Sequence, residues 1–171
     1  MTKPMPRQAA PDLSVETVAG ETWRLAERTP RTFTMIVFYR GYHCPLCKTY
    51  LGELEGMIEG LESRGIDAIA VSGDDRERAT ATASEWGLDR TTVGHGLGVE
   101  TMRDWGLYLS RRIRDSEPEI FAEPGLFLVR PDGTLHYAAI ISAPFARPRL
   151  DDVVKAIDFI VSKDYPPRGE V

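Results

Sequence analysis

Hydrophobic positions along this chain follow two rhythms that alternate. Thr32 to Tyr39 is almost continuously apolar and rich in β-branched and aromatic residues, which suits a strand covered on both faces. Arg40-Gly41-Tyr42-His43 breaks that run. Cys47, Leu51, Leu54, Ile58 and Leu61 then recur at steps of four, three, four and three, which marks one face of a helix. Pro45 suits the first helical turn, where no N–H is needed, and Gly65 stands where a left-handed C-terminal cap belongs. Cys44 therefore falls at a helix N-terminus directly after a buried strand.

Ile66 to Val71 reads as a second buried strand. Asp74, with Glu77 three residues on, resembles a capping box opening a helix that runs to Trp86 and stops at Gly87. A short strand near Thr91–Val93 and a helix from about Gly98 to Trp105 follow. Gly125–Val129 and Leu135–Ile141 read as strands joined by the turn Arg130-Pro131-Asp132-Gly133. A final helix carries Leu150, Val153, Val154, Ile157, Ile160 and Val161 on one stripe. The order β-α-β-α-(β)-α-β-β-α predicts an α/β fold with a central mixed sheet flanked by helices on both faces. It is also the order of a thioredoxin-like fold with a helical insertion. Prolines cluster in 4–11 and 166–167, so residues 1–7 and 164–171 read as extended tails around one domain, 8–163.

The 171 residues suit one domain, and no linker divides them. Lys and Arg number 21 against 26 Asp and Glu, a net charge of −5, which argues against a generic nucleic-acid binder. The one basic cluster, Arg111-Arg112-Ile113-Arg114, is followed by Asp115, Glu117 and Glu119 and reads as solvated. No apolar run approaches the roughly eighteen residues of a membrane span, and no hydrophobic stretch follows the basic N-terminus as in a signal peptide. These absences point to the cytoplasm.

The two cysteines stand three apart, so their chemistry is local rather than a disulfide framework. Disulfide exchange needs a thiolate to attack and a second thiol close enough to resolve the mixed disulfide. At a helix start the first cysteine faces unpaired N–H groups and the positive end of the dipole, which favour its thiolate. Cys44 is accordingly the expected attacking residue and Cys47 the buried resolving thiol. Half a zinc site or two inert buried thiols stand as the alternatives. The first lacks a second ligand pair, because His43 adjoins Cys44 and His95 and His136 are isolated.

The stretch Val37 to Cys47 (Val-Phe-Tyr-Arg-Gly-Tyr-His-Cys-Pro-Leu-Cys) and the stretch Glu123 to Gly133 resemble the peroxiredoxin-like branch of the alkyl hydroperoxide reductase/thiol-specific antioxidant family. The likeness runs from about Pro11 to Lys163. It implies a thioredoxin fold, and the matching position of that fold's cis-proline is Pro124, so a cis Glu123–Pro124 bond beside the cysteines is expected. The leading function is then thiol–disulfide exchange at the Cys44-Cys47 centre, with thiol-dependent reduction of hydrogen or alkyl peroxides as the alternative. No cofactor is implied. The partners implied are a disulfide or peroxide substrate, a thiol reductant such as thioredoxin or glutathione, and a second copy of the chain in a homodimer. The family's peroxidatic motif has a proline seven residues and a threonine or serine three residues before its cysteine, whereas Val37 and Gly41 stand here. Its active-site arginine usually precedes the late strand, where this chain has Glu123-Pro124-Gly125, leaving Arg40 and Arg147 as candidates to act in its place.

Other features carry less. Gly94-His95-Gly96-Leu97-Gly98 lacks the spacing and lysine of a phosphate loop and reads as a turn. His43 is placed equally well for tuning the thiolate and for a solvated loop. Trp86 and Trp105 read as core, and Asp67 is a candidate buried proton relay.

Overall fold

The computed structural model describes residues 3–171. In chain order the elements are β1 (Ser14–Thr17), β2 (Thr22–Arg24), β3 (Phe33–Phe38), α1 (Pro45–Ser63), β4 (Ile66–Val71), α2 (Arg76–Glu85), β5 (Thr92–His95), α3 (Val99–Asp104), β6 (Leu109–Arg111), β7 (Ile120–Ala122), β8 (Gly125–Val129), β9 (Leu135–Ile140) and α4 (Leu150–Lys163). Seven strands form one sheet in the order β2-β1-β5-β4-β3-β8-β9, and β6 with β7 forms a separate hairpin. β3, β4 and β5 run parallel, while β8 returns antiparallel against β3 and β9 against β8. This is the mixed α/β sheet of a thioredoxin-like fold.

β3 is buried along its whole length, as its unbroken apolar run requires. Phe33, Met35, Val37 and Tyr39 face a core built with Leu51, Leu54, Ile58 and Leu61 of α1, Ala79 of α2, and Leu150, Val153 and Ile157 of α4. Ile36 and Phe38 face the opposite core, which holds Trp105, Met102 of α3, Trp23, Phe127 and Leu135. Period-two alternation in one strand thus serves two helical layers.

The turn between β8 and β9 closes through Gly133 N–H to the Arg130 carbonyl at 2.9 Å, while Asp132 accepts from the Thr134 N–H at 2.9 Å. Gly65, with φ +74°, follows Arg64 at the end of α1, the left-handed position the sequence assigned it. The cap of α2 differs by one place from expectation. Asp75, not Asp74, accepts from the Arg78 N–H at 2.9 Å, and Asp74 is turned inward.

The tails are docked, and the N-terminal one is turned rather than extended, with Gln8 N–H on the Met5 carbonyl at 3.2 Å and Arg7 at φ +70°. Arg7 N–H donates to the Leu135 carbonyl, and Arg7 Nε reaches the Pro167 carbonyl at 3.4 Å with Glu170 beside it at 3.5 Å. Residues 1–2 lie outside the described residues.

The expected cis bond at Pro124 is corrected, since no peptide bond among the described residues is cis. β7 passes into β8 with only Glu123 and Pro124 between them. Glu123 N–H bonds to the Tyr108 carbonyl, and the Pro124 carbonyl accepts from Ile141. An extended strand that runs straight through these ladder bonds accommodates the intrinsically preferred trans bond.

Leu54 is fully enclosed in the core cluster that also holds both cysteines. Leu54→Ala is expected to destabilise the fold by about 3 kcal/mol, measured as a lower midpoint in urea unfolding with an unchanged slope.

Candidate active site

β3 aims the chain at the site, and the loop 40–43 turns it into α1. Cys44 is the N-cap of that helix, with extended φ and ψ of −101° and 106°. Its Sγ accepts from the Cys47 N–H at 3.3 Å, so the sulfur itself satisfies one of the unpaired donors of the first turn. Both cysteines are free, and they are enclosed at 1 % and 0 % exposure.

Two guanidinium groups converge on the sulfurs. Arg147 Nη2 donates to Cys47 Sγ at 3.0 Å and lies 3.8 Å from Cys44 Sγ. The Arg147 loop is held by Nε donating to the Pro144 carbonyl at 2.8 Å and by the guanidinium stacking 5.2 Å over Tyr50. Tyr50 Oη in turn donates to the Pro148 carbonyl at 2.7 Å. Arg147 Nη1 is buried with no partner among the described residues. Arg40 also stabilises the Cys44 thiolate.

These contacts divide the two thiols. The Cys47 S–H, its backbone N–H, Arg40 and the charge of Arg147 together overcome burial and lower Cys44 to about 5. Burial and the neighbouring Cys44 push Cys47 well above the ordinary thiol range, so it stays protonated at neutral pH. The pair therefore holds one proton and one negative charge.

Burial, then the charge of Arg40, lowers His43 to about 4. The ring packs edge-on against Phe121 at 4.8 Å, and both ring nitrogens are buried without partners. It is thus a neutral, half-buried residue, neither freely solvated nor a positive charge for the thiolate. Pro124 lines a cavity of about 10 Å³ with Val37, Phe38, Tyr50 and Arg147, which brings it to the site through the arginine. Asp67 is corrected: it pairs with Arg28 at 2.6 Å at the start of β4, the end of the sheet away from the cysteines. Trp86 stacks on Tyr42 at 6.2 Å and so steadies the site's loop rather than only filling the core.

Gly41 explains one departure from the family's motif. Its φ is +135°, and a Cβ there would stand 2.7 Å from Asp74 Oδ1. The Asp74 carboxylate also accepts the Tyr42 N–H at 2.7 Å and takes Arg78 Nε at 3.2 Å. It occupies the space a threonine would need. Asp74 was missed in the sequence because its neighbourhood reads equally well as a helix cap.

A sequence model of the AhpC/TSA family matches residues 6–138. The chain belongs to the AhpC/TSA family. This redoxin is 23 % identical over 154 residues to the 1-Cys peroxiredoxin PER1 of Arabidopsis thaliana, a match covering 88 % of this chain and 68 % of the plant protein. Its fold superposes on a peroxiredoxin-like protein from Aquifex aeolicus with a TM-score of 0.76 at 17 % identity, covering 94 % of this chain and 90 % of that one. Peroxiredoxin 6 of Arenicola marina gives a TM-score of 0.75 at 16 % identity, over 95 % and 80 % of the two chains. Membership makes it an oxidoreductase. No helix of the described residues is long and apolar enough to cross a membrane.

The division of the thiols has a direct readout. Ultraviolet thiolate absorbance of the reduced redoxin should rise through one transition centred at about 5 as pH increases, and Cys44→Ser should remove it. A transition near the ordinary thiol value would contradict the charge arrangement described.

Proposed function

We propose that this redoxin is a thiol-dependent peroxidase in which Cys44 attacks a hydroperoxide and Cys47 resolves the product. The supporting observation is the convergence of two guanidinium groups on a buried sulfur whose thiolate they stabilise. Fixed positive donors around a small, enclosed nucleophile suit a compact substrate whose O–O bond must be polarised. Both sulfurs being enclosed disfavours direct attack on a bulky protein disulfide.

In this reading the Cys44 thiolate attacks the terminal oxygen of ROOH. The O–O bond breaks, Cys44 becomes a sulfenic acid, and the departing alkoxide leaves as ROH with the proton of Cys47. The Cys47 thiolate then attacks the sulfenic sulfur and expels hydroxide, which solvent protonates to water, leaving a Cys44–Cys47 disulfide. Two external thiols, from a thioredoxin- or glutathione-type reductant, return the pair to one thiolate and one thiol. Such a cycle belongs in a reducing compartment such as the cytoplasm.

Arg147 and Arg40 act on the first step. They neutralise the attacking sulfur in the ground state and can donate to the oxygen on which charge develops. Arg147 has a spare buried donor, Nη1, available for that purpose. Pro124 narrows the space beside it, and His43, packed against Phe121, exchanges no proton at neutral pH.

Thiol–disulfide exchange is the second reading. It is favoured by one observation, the contrast between a low attacking thiol and a high resolving thiol one helical turn apart. Mass spectrometry after one equivalent of hydrogen peroxide, or of glutathione disulfide, separates the two. Rapid intramolecular disulfide formation with peroxide supports the peroxidase, and a pair that ignores peroxide but exchanges with glutathione disulfide replaces it.

Two mutational outcomes follow from the assigned roles. Cys44→Ser should reduce peroxide consumption to background, whereas Cys47→Ser should consume one equivalent, stop, and accumulate a species trapped by a sulfenic-acid reagent. Arg147→Met should slow the peroxide step on the order of 100-fold in stopped-flow measurements.

A further inference from the structure

The strand register places an acid where the family's arginine is expected and an arginine opposite it, just past the end of β3. β3 and β8 pair antiparallel, with Val37 opposite Leu126 and Phe38 opposite Gly125. Two places further along, the same register sets Arg40 opposite Glu123. Arg40 Nε lies 3.1 Å from Glu123 Oε2, with the two side chains only 14 % and 4 % exposed. Glu123 Oε1 accepts from Ser110 Oγ at 2.6 Å, which fixes the carboxylate from the β6–β7 hairpin. The same hairpin supplies the Phe121 ring, 4.8 Å beneath the guanidinium, and Glu117 Oε1, 3.9 Å from its Nη2. Glu117 Oε2 is itself occupied by the Ile113 and Arg114 N–H groups. Arg40 is thus enclosed by two acids and an aromatic face, and its charge stabilises the Cys44 thiolate.

We propose that Glu123 is a positioning residue that holds Arg40 against the Cys44 sulfur, so that an inverted cross-strand pair serves the site in place of an arginine at the entry to β8. The proposal rests on Cys44 being the working thiolate. A flexible, partly exposed guanidinium with no fixed partner would gain as much from rotating toward water as from staying beside the enclosed sulfurs. A buried carboxylate opposite it removes that alternative, because withdrawing the arginine would leave the acid uncompensated.

A positioning role and a passive one predict opposite signs. Glu123 is itself a negative charge near Cys44, so its simple neutralisation favours the thiolate and lowers the titration midpoint. If it positions Arg40, neutralisation releases the guanidinium and raises the midpoint. Glu123→Gln is therefore expected to raise the thiolate midpoint by about one pH unit, a tenfold change in the ionisation constant, and to slow peroxide reduction at a fixed pH below the new midpoint. In an Arg40→Met background the same substitution should lower the midpoint or leave it in place. Ser110→Ala, which removes only the hydrogen bond to Glu123, should shift the midpoint upward by less and serves if Glu123→Gln does not fold. A fall or no change with either variant in the wild-type background overturns the proposal. The readout is thiolate absorbance and requires no turnover. A Cys44 that titrates as expected but ignores peroxide would overturn the peroxidase reading while leaving the positioning role intact.

Discussion

A sulfur enclosed to 1 % exposure can hold a negative charge only if the protein supplies what water would have supplied. The organisation around Cys44 follows from that demand. One donor comes from the first turn of α1, one from the neighbouring thiol, and two from arginines on separate segments. None is long-range in effect, so each has to be brought within a few ångströms. The sheet does this by ending its central strand at the site and turning it directly into a helix.

The same demand separates the roles of two chemically identical residues. Cys47 lies one turn deeper and keeps its proton because burial, and then the neighbouring Cys44, outweigh the pull of Arg147. Its S–H then becomes one of the groups that stabilise the thiolate. The two cysteines form a single unit with one charge, and altering either changes the other's ionisation. The core supports this unit from below: Leu51 and Leu54 of α1 share a cluster with both sulfurs, with Val37 of β3 and Tyr39 just after it, and with Leu126 of β8.

Much of this was legible in the sequence where apolar runs were long. β3, β4, β8, β9 and the helices α1 and α4 carry patterns of five residues or more, and the cysteine pair falls where those patterns place it. β1, β2, β6 and β7 span only three or four residues, too few for alternation to stand out. The hairpin formed by β6 and β7 was hidden for that reason, along with the acids it sets around Arg40. Arg147 lies 100 residues from Cys47, and only the return of the chain before α4 brings them together. Pro124 was read through the fold's usual proline, yet the ladder bonds on either side of it carry an extended trans backbone. Asp74 shows a different limit, since two adjacent aspartates offered the same capping pattern and only packing chose between them.

Asp74 and Gly41 also share one volume, and that ties their fates. A side chain at position 41 would collide with the carboxylate, and a smaller residue at position 74 would leave the Tyr42 N–H and Arg78 without their acceptor. Neither position can be exchanged alone without loss, so a route back to a threonine-bearing loop must cross a less stable intermediate. The loop before Cys44 is in this sense epistatically locked: two residues 33 apart behave as one inherited choice.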